Sequence, residues 1–513
     1  MSSESKPDAG SAATSARQIA AGYGVDGQAL ELGTVVVDGT AEPAAPVRIP
    51  LATVNRHGLV AGATGTGKTK TLQLIAEQLS AAGVPVLMAD VKGDLSGLAR
   101  PGEPNDKIAA RAKDTGDDWA PTSFPVEFLS LGTTGIGVPV RATISSFGPI
   151  LLSKVLGLNA TQESTLGLIF HWAEQQKLPL LGLKDLRAVI SYLTSEAGKP
   201  ELQALGGVSP ATAGVILRAL VNLEAEGADT FFGEPELKPE DLLRVDSQGR
   251  GVISLLELGD QATRPMLFST FLMWLLAALF RFLPEVGDVD KPKLVFFFDE
   301  AHLLFSDASK AFLEQVEQTV KLIRSRGVGV FFCTQLPTDV PNEVLSQLGA
   351  RIQHALRAFT PDDQKALTKT VRTYPKTGVY ELASALTSLG IGEAIVTVLS
   401  ERGAPTPVAW TRLRSPRSLM AAIGDDAIAA AAKTSPLHAT YGQTVTRQAA
   451  YEMLRAKTAQ AAPPDQPSKA SKKPAPKRPG WFKRFVNSRG FQTFLRALAT
   501  ALGREFIRGM RRR

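Results

Sequence analysis

The chain has 513 residues, 44% of them hydrophobic and 21% charged, the composition of a soluble globular protein long enough for one large α/β domain with appendages or for two or three ordinary domains. A single cysteine, Cys333, and five scattered histidines exclude a disulfide framework, a thiolate metal site and a zinc-type spacing within one chain. The formal net charge of +7 is unevenly placed: from Gln466 onward five Lys and nine Arg face one acid, Glu505, so the last 48 residues carry +13 and residues 1–465 carry −6. That asymmetry points to an appendage for a polyanion, either nucleic acid or an acidic membrane surface, or to a solubilising tail.

Residues 1–17 are small and polar, which predicts disorder, and the absence of an apolar signal core there predicts a cytoplasmic protein. Residues 18–57 hold short β-like pieces, Gly33 to Val37 and Val47 to Pro50, interrupted by Gly and Pro. From residue 58 short apolar runs alternate with helical periods, the pattern of a parallel sheet with crossover helices; the clearest buried strands are Leu59 to Ala61, Val84 to Ala89, Val126 to Leu129, Leu294 to Phe298 and Val328 to Cys333. The expected class is α/β, a RecA-like P-loop NTPase with a mainly parallel sheet. Its core divides into 58–143 and 231–415 around a helical insertion at 144–230. The nearly uncharged run Met266 to Phe280 falls short of the roughly 20 residues a membrane span needs and reads as a buried core helix. Helices at 416–460, a Pro/Lys-rich linker at 461–480 and a basic amphipathic helix at 481–513 follow.

The chemistry concentrates at three strand ends. Gly62, Ala63, Thr64, Gly65, Thr66, Gly67, Lys68 and Thr69 satisfy G-x-x-x-x-G-K-[ST] directly after an apolar strand and before a helical period. Such a loop turns backbone amides toward the phosphates of ATP, with Lys68 toward the β and γ phosphates and the Thr69 hydroxyl on magnesium. The strand Leu294 to Phe298 ends in Asp299 and Glu300; Asp299 is the expected Mg2+ partner and Glu300 the general base for the attacking water. The strand Val328 to Cys333 ends in Thr334 and Gln335, and an amide there is placed to sense the γ-phosphate or orient water. Arg324 and Arg326 close the preceding helix as candidates for reaching a neighbouring subunit's ATP, or as charges favourable at a helix C-terminus. Asp90 and Asp94 end a further strand, to tune the metal, position water or cap a turn.

These motifs, with Asn55-Arg56-His57-Gly58, Asp90-Val91-Lys92-Gly93-Asp94-Leu95, Phe231-Phe232-Gly233-Glu234-Pro235, Phe298-Asp299-Glu300-Ala301-His302-Leu303-Leu304-Phe305, Ile323 to Val330 and Leu356-Arg357-Ala358-Phe359-Thr360-Pro361, resemble the bacterial HerA-like ATPases. Those proteins carry the ATPase domain of the HerA helicase within the HerA/FtsK group of ring motors. The resemblance runs from about Leu51 to Lys457. It implies a hexameric ring with ATP at subunit interfaces, Gln335 as the polar sensor, Arg324 or Arg326 as the trans-acting arginine, and translocation along double-stranded DNA. The segment before the P-loop does not match the β-barrel of HerA helicases, so a nuclease partner is left unassigned. Two other functions stay open: a membrane-associated ATPase that moves or remodels protein, lying on anionic lipid through 481–513, and an assembly protein switched by nucleotide.

Overall fold

In the computed structural model the described residues are 9–461, apart from 134, 204–205, 259–264, 288, 306–309 and 446–448. The basic amphipath expected at 481–513, and all but the first residue of the expected linker, lie outside them.

Long runs of Val, Ile, Leu and Phe with no polar face suit strands covered on both sides, and they build the centre of one sheet. Its strands are β1 (Ala29–Val37), β2 (Thr40–Pro50), β3 (Gly58–Ala61), β4 (Val86–Asp90), β5 (Val126–Leu131), β6 (Val138–Val140), β7 (Ile253–Glu257), β8 (Leu294–Phe298), β9 (Val328–Thr334), β10 (Ala350–Gln353), β11 (Glu393–Thr397) and β12 (Ala409–Leu413). They lie in the order β2-β1-β12-β11-β10-β3-β9-β8-β4-β7-β5-β6. From β10 to β6 all pairings are parallel, whereas β11, β12, β1 and β2 extend the other flank antiparallel. The fold is therefore α/β with a large, mainly parallel mixed sheet.

Alternation along each strand sends side chains to two cores. Leu59, Leu87, Phe296, Phe298, Val330 and Phe332 face one core, which the helices between β6 and β7 and the helix Pro265–Phe282 complete. Val60, Met88, Val295, Phe297 and Phe331 face the other, covered by the helix Lys68–Ala81 and the N-terminal hairpin. Ring pairs lock β8 to β9: Phe298 stacks on Phe332 with centroids 5.2 Å apart, and Phe297 meets Phe331 at 5.2 Å. Leu267, Phe271, Trp274, Leu275 and Leu279 are buried along Pro265–Phe282, and no helix among the described residues is long and apolar enough to cross a membrane.

The N-terminus departs from the sequence reading. Ala9–Ala21 is a helix, although disorder was the expectation through residue 17. Its small side chains hide the signal: Ala16, Ile19 and Ala20 sit at helical spacing and are buried, and Tyr23 just beyond donates from its hydroxyl to the Val396 carbonyl at 2.8 Å. A face of alanines buries little area per residue but lets the helix approach the sheet closely.

Candidate nucleotide-binding site

Parallel strands deliver their C-terminal ends to one edge, and the sequence places its polar residues there. β3 stops at Ala61 and the chain turns through Gly62 to Gly67 into the helix Lys68–Ala81. The turn is clipped to both neighbouring strands: the Gly62 amide donates to the Thr334 carbonyl at 3.2 Å and the Ala63 amide to the Ala355 carbonyl at 2.8 Å. Gly62, Gly65 and Gly67 have φ of 151°, 82° and 112°, a region that side chains other than glycine disfavour. At Gly62 a Cβ would also fall 2.5 Å from the His354 Cβ. The Lys68 ammonium donates to the carbonyls of Gly62 at 2.7 Å and Ala63 at 3.3 Å, while the Thr66 hydroxyl closes the turn on the Ala63 carbonyl at 2.7 Å. Thr64 is exposed, and Thr69 stands half-buried in the first turn of the helix. A glycine turn opening into a helix N-terminus is a cradle for anions.

His354, just past β10, pins the helix through a 2.9 Å hydrogen bond between its Nε2 and the Thr71 hydroxyl. Burial, reinforced by the Lys68 charge, pushes its pKa down to about 4, so the ring stays neutral beside the ammonium.

β8 carries Asp299 and Glu300 to the same edge. Asp299 is buried and accepts from the Glu300 amide at 2.9 Å. Burial, and then the charge of Glu300, push its pKa up to about 6; a carboxylate so short of compensation favours a nearby cation. Glu300 has a φ of 50°. Its Oε1 lies 2.6 Å from the Lys92 ammonium. Its Oε2 stands 3.4 Å from His302 Nδ1, without hydrogen-bond geometry. Among the described residues no group of three or more His, Cys, Asp or Glu is placed to hold a metal ion.

Gln335 is exposed immediately after β9, whose last residue, Thr334, is buried and donates from its hydroxyl to Asp339 at 2.6 Å. Arg324 and Arg326 occupy a 3-10 turn before β9 and thus lie at the opposite end of the strands, roughly 25 Å away at 3.3 Å per residue. The two differ. Arg326 donates to the Leu283 carbonyl at 2.7 Å, lies 4.6 Å over the Phe280 ring and stands 3.7 Å from Glu285, whereas Arg324 is exposed.

Asp90 resolves toward turn capping: its carboxylate accepts from the amides of Lys92 at 3.1 Å, Gly93 at 2.8 Å and Leu95 at 2.8 Å, while Asp94 is exposed. Lys92 and His302 stand in the sequence motifs without an assigned role, and His354 and Glu257 stand outside them. Glu257 ends β7 in register with Asp90, its Oε1 has no hydrogen-bond partner, and burial followed by the charge of Asp90 pushes its pKa up to about 8. The signal for it was weak, since the run Ile253-Ser254-Leu255-Leu256 before the carboxylate is broken by a serine.

Residues 36–509 match the family described as Helicase HerA-like C-terminal. The chain belongs to the HerA-like C-terminal family. Among HerA-like relatives, the DNA double-strand break repair helicase HerA of Saccharolobus solfataricus is 23% identical over 380 residues, which span 73% of this chain and 67% of that protein. Of solved structures, the bacterial conjugative coupling protein TrwBdeltaN70 aligns with a TM-score of 0.51 at 15% identity, covering 79% of this chain and 94% of its own. The plasmid coupling protein TrwB in complex with ADP and Mg2+ aligns at 0.47 and 15%, covering 77% and 98%. At 15% identity the likeness to TrwBdeltaN70 is one of fold alone.

Proposed function

We propose that the protein is an ATP-hydrolysing ring motor of the HerA/FtsK kind that translocates double-stranded DNA. The observation that carries the reading is the convergence, on one sheet edge, of a glycine cradle with its lysine and a buried aspartate followed by a glutamate, in a chain of the HerA-like family. In this reading the amides of Gly62 to Gly67 and the Lys68 ammonium hold the triphosphate, and Thr69 and Asp299 hold Mg2+, which when bound offsets charge on the phosphates. Glu300 takes the proton of the attacking water, and Gln335 orients that water. The cradle fits this ligand because its glycine turn opens into a helix N-terminus and because Asp299 is short of positive charge.

The remaining part of the site is proposed to come from a second copy. Arg326 spends its guanidinium on Leu283 and Phe280 of its own chain. Arg324 is the exposed one, and we assign the trans-acting role to it. DNA as substrate is supported by the HerA relative, whose name states repair of double-strand breaks. Phosphate contacts suffice for a motor that reads no sequence. A second reading, an ATPase that acts at a membrane on protein, is favoured by the apolar and basic interleaving of Trp481 to Arg513.

ATPase rates measured with linear duplex DNA, single strands or anionic vesicles, alongside particle mass in ATP, separate the two. Duplex DNA accelerating turnover of a hexameric particle supports the motor. Indifference to DNA with acceleration by vesicles overturns it in favour of the second reading.

A further inference from the structure

Glu300, read above as the base, has one of its two carboxylate oxygens engaged and the other, Oε2, without a hydrogen-bond partner. Its Oε1 is engaged by the Lys92 ammonium at 2.6 Å, and its backbone is fixed on both sides, by the Glu300 amide on Asp299 Oδ1 at 2.9 Å and by the Ala301 amide on the Cys333 carbonyl at 2.7 Å. The glutamate therefore cannot leave the ammonium by a shift of its own main chain; only side-chain rotation or withdrawal of Lys92 separates them. Lys92 is presented by a braced loop, since Asp90 binds the amides at 92, 93 and 95. Its side chain is 50% exposed, against 10% for Glu300, so water and other anions reach the lysine end of the pair. The two residues are 208 positions apart, joined only because β4 and β8 are neighbours.

We infer that Lys92 is a positioning residue that restrains Glu300 in the resting enzyme, and that hydrolysis accelerates when the exposed ammonium exchanges Glu300 for another anion. The inference rests on the reading of Glu300 as the base. Held by the ammonium, the carboxylate is restrained from rotating toward an attacking water, so the pair lowers turnover while leaving the turn Gly62 to Lys68 untouched. Lys92 also keeps its charge: the hydrogen bond to Glu300 raises its pKa above the usual lysine range, more than its partial burial lowers it.

The test is steady-state ATPase of the full chain, without and with duplex DNA, for Lys92→Ala, Lys92→Met, Lys92→Arg and Glu300→Gln. Lys92→Met keeps the aliphatic stem should the alanine variant fold poorly. The expected result is a DNA-free kcat about 3- to 10-fold above the parent in the Ala and Met variants, with KM for ATP unchanged, and a return to the low rate in Lys92→Arg. A merely structural lysine would lower kcat or raise KM instead. A DNA-free rate unchanged or reduced in both neutral variants, with ATP binding intact, overturns the inference. Normal turnover in Glu300→Gln overturns the underlying assignment of the base, which is a separate failure.

Discussion

His57 sits one residue before the P-loop strand and offers a quantitative test of how that strand is seated. The ring is fully buried; its Nδ1 accepts from the Val330 amide at 3.0 Å and its Nε2 faces the Val320 carbonyl at 2.8 Å, so the proton must be on Nε2 and the ring must be neutral. Burial, with the Arg324 charge adding to it, lowers the pKa from 6.5 to about 4. Because the folded value lies below the unfolded one, protonation favours the unfolded chain. The stability involved is present in full above about pH 6.5 and is lost as pH falls toward 4. Linkage puts the loss between pH 7 and pH 5 at about 2 kcal/mol. His57→Asn retains an acceptor for Val330 and tolerates the φ of 63° at this position, but leaves the Val320 carbonyl without its donor, a cost of about 1–3 kcal/mol at pH 7. Urea unfolding of parent and variant at both pH values should show the gap between them narrowing by about 2 kcal/mol at pH 5. His354 contributes equally to both proteins and cancels. A gap of the same size at both pH values would refute the reasoning.

Lys68→Ala should weaken ATP binding by at least about tenfold through loss of the cation nearest the phosphates; undiminished affinity by equilibrium titration would remove the triphosphate from this loop. Glu300→Gln should bind ATP as the parent does and turn it over about 100-fold or more slowly, and single-turnover kinetics with normal chemistry would send the search for the base elsewhere. Mixing Arg324→Ala with Lys68→Ala subunits should restore part of the ATPase activity, because some interfaces then pair an intact cradle with an intact arginine. Failure to restore activity at any mixing ratio would place the arginine's effect within its own subunit. Arg326→Ala should lower the thermal midpoint by exposing Phe280 and freeing Leu283, and an unchanged midpoint would contradict its packing role.

Central elements were legible because their determinants are local. Leu294 to Phe298 and Val328 to Cys333 are runs without a polar side chain longer than cysteine's, and an eight-residue pattern marks the glycine turn. β2 was shortened in the reading because Pro43 and Pro46 interrupt it, yet it spans Thr40–Pro50; it is the outermost strand, where a missing amide leaves no ladder bond unmade. β7 hid behind the Asp-Ser-Gln-Gly-Arg-Gly stretch that precedes it, with a run too short to separate strand from helix. Lys92 stood in a motif without a role for another reason: its partner is set by strand order, which a parallel sheet does not disclose in sequence spacing.

The arginine turn and the glycine cradle terminate opposite ends of adjoining strands. A twofold dimer that set the turn of one copy on the cradle of the other would do so twice at once, and two copies would then satisfy each other and close the assembly. A head-to-tail arrangement pairs the same two features once per contact, which makes rotational closure, and with it the number of copies, a matter of the tilt between successive molecules.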